Sequence, residues 1–144
     1  DESYLKLLDL RIAGIHSLCY SQGTKEENTY GMVQAISNPY INIISHPGDG
    51  TAELNFEPIV LAAKEHHTLL EINNSSLKPS RGKKQARPNN SKKYEVPVIL
   101  GSDAHISFDI ATYDYALQLV AETEFPEELI MNTSVEKFKS YLSL

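Results

Sequence analysis

The sequence has a single cysteine, Cys19, in 144 residues. One thiol excludes an internal disulfide framework and suits a reducing compartment. With no Cys-x-x-Cys and no evident cysteine-histidine motif around it, Cys19 reads as a small half-buried apolar residue rather than a reactive thiol. The apolar runs are far too short to span a bilayer and none is arranged as a signal peptide, so the expectation is a cytoplasmic protein with no membrane partner. Positive charge is scarce, since thirteen Lys and Arg stand against nineteen Asp and Glu, a net charge of −6. A nucleic-acid-binding surface needs the opposite balance to displace counterions. No Gly-x-Ser-x-Gly elbow, Gly-x-Gly-x-x-Gly turn or Walker pattern follows any apolar run, which leaves serine hydrolysis and those kinds of nucleotide binding unsupported.

What is present is one domain's worth of chain, 41% hydrophobic and 22% charged, enough to bury a real core. Four β-branched apolar stretches recur: Leu10 to His16, Ile41 to His46, Thr68 to Asn73 and Val96 to Gly101. Three are almost continuously apolar, the pattern of strands covered on both faces in a parallel sheet. Helical patterns lie between them. Tyr30, Val33 and Ile36 share one face, as do Phe56, Ile59, Val60 and Ala63 behind Asn55 as N-cap. Ile110, Tyr113, Leu117 and Val120 share another, and Thr133 with Glu136 has the spacing of a capping box. The segment after Pro88 leaves room for two helical turns at most. This alternation predicts an α/β fold with parallel strands.

Parallel α/β folds place their sites at the carboxyl ends of the strands, where the loops converge. Here those ends carry His16, His46, Asn73 with Asn74, and Asp103 with His105, so three of the five histidines occupy equivalent places on three strands. Imidazole and carboxylate suit zinc, manganese and iron, and strand ends bring sequence-distant groups within coordination distance. A shared metal site is therefore expected. Pro47 and Gly48 form a rigid turn that aims His46, and Gly101 lets the backbone approach closely. Asp49 reads as a turn former. His66 and His67 end a helix, where histidine is favoured or simply exposed. Glu71 reads equally as a partner that orients a ligand or as a salt-bridged structural carboxylate. Seven of the thirteen basic residues fall within positions 78–93, as a solvated loop or as a lure for an anionic substrate.

The segments IAGIH, IISHPG, LEINNSS and ILGSDAH, in that order, resemble the C-terminal part of the polymerase and histidinol phosphatase (PHP) family, most closely its stand-alone bacterial phosphatases with a trinuclear zinc centre. The resemblance implies a partial PHP domain over residues 1–144, about the last three fifths of a distorted seven-stranded, mostly parallel (β/α) barrel, with the N-terminal metal motifs absent. It implies that His16 and His46 are ligands of one ion, Asp103 of a second and His105 of a third, with zinc the expected metal and manganese or iron as alternatives. The implied activity is hydrolysis of a small phosphomonoester through a metal-activated water, with Asp103 and His105 catalytic and Arg81 and Lys83 engaging the phosphate. Two other readings stand beside it: a non-catalytic fragment of such an enzyme, and a metal-dependent hydrolase acting on a C–N bond. Uncovered sheet edges would be met by self-association or by a complementing N-terminal segment.

Overall fold

In the computed structural model the described residues, 2–81 and 89–143, form an α/β fold around a four-stranded, all-parallel sheet with its strands in chain order. They are β1 (Ile12–Ala13), β2 (Ile43–Ile44), β3 (Leu69–Asn73) and β4 (Val98–Gly101). Each lies inside one of the four apolar runs and is shorter than it. Pairing continues past the strands at the β1–β2 seam, where Asn42 and Ile43 donate to the Arg11 carbonyl and Ser45 to that of Ala13. β4 starts after Pro97, which has no N–H to contribute to a ladder.

The helices are α1 (Glu2–Leu5), α2 (Lys25–Ile36), α3 (Phe56–Glu65), α4 (Asn89–Lys93), α5 (Asp114–Glu122) and α6 (Val135–Leu142). Side chains alternate between the faces of a strand, so the sheet supports two apolar layers. On one face Ile44 and Leu70 pack with Met32 and Ile36 of α2 and Ile59, Val60 and Ala63 of α3. Farther along that face Ile72, Val98 and Leu100 meet Ala116 and Leu119 of α5. On the reverse face Ile43 and Leu69 meet Met131, joined by Ile99 and by Phe138 and Tyr141 of α6. Each buried Leu or Ile contributes roughly 1.5–3 kcal/mol, so these layers, more than the ladders of such short strands, hold the sheet together.

Several local expectations are corrected. Tyr30 of α2 is 67% exposed, whereas Ile36 is buried as expected and Val33 packs against the core; the buried residues are Asn28, Thr29, Met32 and Ile36. The two polar ones are satisfied by loops: Asn28 exchanges hydrogen bonds with the backbone of Gly23, and the Thr29 hydroxyl accepts from the Asn55 N–H. On α5 the buried residues are Ala116 and Leu119; of the expected face, Tyr113 and Val120 pack against them, while Leu117 and, before the helix, Ile110 are exposed. Asn55 is the N-cap of α3 but makes no side-chain cap bond. The cap of α6 is Ser134, accepting from the Lys137 N–H, rather than Thr133. A capping box does exist at α2, where the Thr24 hydroxyl accepts from the Glu27 N–H and the Glu27 carboxylate from the Thr24 N–H.

The two sheet edges differ. At β4 the Asn132 side chain pairs with both the N–H and the carbonyl of Leu100, at 3.0 and 2.9 Å, and Ile130 bridges Val98 in parallel. At β1, Ile12 is 58% exposed. Among the described residues no helix is long and apolar enough to cross a membrane.

Candidate active site

The loops leaving the carboxyl ends of β1, β2, β3 and β4 enclose a cavity of about 400 Å³ lined by His16, His46, Asp103 and His105 together with Cys19, Asp49, Thr51 and Ser76. All four residues expected as metal ligands therefore face one space, although up to 89 positions separate them in the chain.

His16 and His46 meet directly. Their Nε2 atoms are 3.1 Å apart, with ring centroids at 4.8 Å and planes at 90°. Two imidazole nitrogens each about 2.1 Å from a tetrahedral ion stand roughly 3.4 Å apart, so the observed spacing is that of a hydrogen bond and is a few tenths of an ångström short of a common ligand's. Gly14 makes the approach possible, because a methyl group there would collide with the Ser45 hydroxyl and crowd the His16 ring.

The other side of the His46 ring faces a carboxylate, with Nδ1 3.5 Å from Asp49 Oδ2. Asp49 is fixed in turn by the N–H and hydroxyl of Thr51, at 2.7 and 2.6 Å. It is thus the turn former its sequence suggests and also the neighbour of a candidate ligand. A carboxylate at one ring nitrogen favours the tautomer that leaves the other nitrogen's lone pair free. His105 gives the same result by a different route. Its Nδ1 lies 2.8 Å from the Asp103 carbonyl, which can only accept, so Nδ1 carries the proton and the lone pair of the neutral ring sits on Nε2.

His46 and Asp103 adopt positive φ angles of 31° and 54°. Of the seven non-glycine residues with positive φ among the described residues, His67, Glu95, Glu124 and Ser143 follow helices, where left-handed residues are common. His46 and Asp103 follow strands, and such conformations cost of order 1–3 kcal/mol each. For His46 an anchor is visible: its N–H donates to Glu71 Oε2 at 2.8 Å, and the Asn73 side-chain amide donates to the same oxygen at 3.2 Å. Gly101 serves Glu71 rather than a ligand, since a methyl group there would occupy the space of that carboxylate.

Asn73 and Asn74, at the end of β3, are fasteners. The side-chain oxygen of Asn73 accepts from the Ser76 N–H, and that of Asn74 accepts from the N–H groups of Tyr115 and Ala116, capping α5 from another loop. Cys19 is exposed, not half-buried, and lies on the cavity wall with His16. Composition hid this, because exposure depends on the loop's path. His66 and His67 precede β3 and so belong to the opposite end of the sheet; His67 makes an edge contact with Tyr141 at 6.1 Å. Lys83 lies outside the described residues, and of Arg81 only the backbone, which ends the 3-10 turn Pro79–Arg81, is described.

Among the described residues no three His, Cys, Asp or Glu side chains converge closely enough to hold a metal ion. The donor chemistry fits a divalent cation at the His16–His46 pair, and the number of converging donors falls short of a closed site.

No family model matches the chain. It is 43% identical over 146 residues to a protein of Caldanaerobacter subterraneus subsp. tengcongensis named "Probable phosphatase", covering 98% of this chain and 58% of that protein. It is 44% identical to a "Probable phosphatase" of Caldicellulosiruptor bescii, covering 99% of this chain and 61% of the relative, and 40% identical to one of Acetivibrio thermocellus, covering 98% and 60%. The chain spans about three fifths of the length of the curated relatives it matches.

Proposed function

We propose that this chain is the larger part of a metal-dependent phosphoesterase of the PHP type, which hydrolyses a small phosphomonoester. The observation that carries the reading is the meeting of His16, His46, Asp103 and His105 on one cavity at the carboxyl ends of the strands. Similarity to proteins named as phosphatases supplies the reaction class. The chain-order sheet with helices after successive strands supports reading it as a portion of a (β/α) barrel, and the lone cysteine supports a cytoplasmic setting.

In this reading His16 and His46 hold one cation, and Asp103 and His105 hold others together with donors from sequence that the longer relatives possess. Such cations, zinc foremost, acidify a water nucleophile and offset the charge of the phosphate oxygens. The protein's own contribution is to present lone pairs in fixed directions: Nε2 of His105 through the Asp103 carbonyl, and Nε2 of His46 through Asp49. Arg81 and Lys83, on the basic segment that follows β3, meet the anionic substrate.

No three donors of the described residues converge, and the relatives are longer. These two facts favour a second reading for the 144-residue chain taken alone, a non-catalytic part that regains activity with a complementing segment or through self-association.

The deciding experiment measures phosphate release from a phosphomonoester panel, beside an amide and lactam panel, together with metal content by elemental mass spectrometry. Phosphate release that fails in His46→Ala and Asp103→Asn, with loss of bound metal, supports the proposal. Unchanged activity and metal content in both variants would sink it, and turnover of the C–N panel alone would replace it with an amidohydrolase.

A further inference from the structure

We infer that Glu71 is a positioning residue for His46, a carboxylate that touches no substrate and sets where the His46 ring points. The inference rests on the metal-site reading above and deepens it. β3 is apolar at Leu69, Leu70 and Ile72, and Glu71 interrupts it on the face shared with Leu69. Its Oε2 receives two hydrogen bonds, one from the His46 N–H in the loop after β2 at 2.8 Å and one from the side-chain amide of Asn73, two residues on in the same strand, at 3.2 Å. The orientation of that amide is not free. The side-chain oxygen Oδ1 of Asn73 is taken by the Ser76 N–H at 2.8 Å, so the NH₂ group must face Glu71. The carboxylate therefore ties the loop after β2 to the end of β3, and Asn73 carries the link on to Ser76; both His46 and Ser76 line the cavity.

The backbone of His46 needs such an anchor. Its φ is 31°, and it precedes Pro47, whose ring drives the preceding residue toward extended conformations with negative φ. A hydrogen bond donated by the His46 N–H to a carboxylate oxygen is the strongest kind available to hold that turn. Gly101 is a second, independent sign of the same design. It lies in the neighbouring strand where any side chain would displace the Glu71 carboxylate, so β4 leaves room for an acidic group that the apolar layers do not require.

The test uses Co²⁺ titration followed by its visible absorption, and, without metal, hydrogen exchange of the His46 amide and the His16–His46 ring contact by NMR. Glu71→Ala is expected to weaken cobalt binding by about 10- to 100-fold and to speed exchange at the His46 amide. Glu71→Gln, which keeps an acceptor oxygen, should rescue both to within about threefold of the parent. Gly101→Ala should reproduce the Glu71→Ala losses with the carboxylate still present, and the double variant should be no worse than either single one, as for groups acting as a unit. Should Glu71→Ala fail to fold, Glu71→Asp withdraws the carboxylate from His46 and gives the same readings. Cobalt affinity and His46 exchange both unchanged in the folded Glu71 variant would overturn the inference. If the parent binds no cobalt while His46 exchange still depends on Glu71 and Gly101, the metal reading falls and the positioning role stands.

Discussion

The ends of β2 and β4 and the end of β3 occupy equivalent places in the sheet and carry equally polar residues, yet they do different work. Asn73 and Asn74 are each 1% exposed, and their side-chain oxygens are consumed by backbone N–H groups of Ser76, Tyr115 and Ala116. His46, Asp103 and His105 stand on the wall of the cavity, with the ring nitrogens that face inward left available by the bonds made behind them. A polar side chain at a strand end is thus a fastener when its atoms are used up inside the fold, and a candidate ligand when its bonds only aim it. The energetic signatures differ as well. Losing a fastener strands buried donors and costs stability; losing a ligand costs binding and leaves the core untouched.

That contrast predicts a graded set of outcomes. On the proposed function, the largest effect is expected at His46→Ala, which should lower the phosphomonoesterase kcat/KM of the complete enzyme by about 10³-fold or more, some 4 kcal/mol of transition-state stabilisation, while the thermal midpoint moves by only a few degrees. A collapse of stability with proportionate activity in the folded fraction would move His46 to the fasteners. Next comes Asn74→Ala, which leaves the amides of Tyr115 and Ala116 without their acceptor at the start of α5. The cost is about 3 kcal/mol, read from urea unfolding, and metal content per folded chain should not change. A loss of metal there at full stability would erase the distinction.

An exposed fastener should matter less than a buried one. Thr24→Ala removes half of the α2 capping box and is expected to cost about 1 kcal/mol in the same assay. The smallest effect concerns charge alone. The backbone and then the side chain of Thr24 hold the Glu27 carboxyl below its ordinary value of 4.5. Its folded pKa being depressed, the unfolded chain binds the proton more readily. The contribution of Glu27 is therefore present above that ordinary value and lost as pH falls through the folded one. Comparing urea midpoints between about pH 3 and 6, Glu27→Gln should show a shallower fall in acid than the parent, because glutamine can fill the box without titrating. Equal slopes would show that the cap does not depend on ionisation.

The apolar runs located all four strands, and α3 buries the very positions Ile59, Val60 and Ala63 that its periodicity picks out. The helix between Pro88 and β4 is as short as the residues left for it allow. The faces of α2 and α5 were legible only in part, for a common reason. Periodicity weighs apolar residues within one helix, whereas burial of Asn28 and Thr29 depends on Gly23 and Asn55, and burial of Ala116 on the cap reaching over from Asn74. Likewise the cavity was legible as a set of ligand types at strand ends, but Asp49, Ser76 and Cys19 joined it only through the paths of loops whose spacing carries no periodic signal.

By itself the order of residues determined the strand count, the parallel alternation and the chemical type of the groups at each strand's carboxyl end, because those follow from local apolar patterning and chain connectivity. Tertiary structure alone decided which of those groups are used up. Hydrogen bonds from α5 to Asn74 and from His46 to Glu71 link residues 25 or more positions apart, and whether a polar atom is satisfied depends on the neighbour that packing delivers, a quantity no stretch of sequence contains.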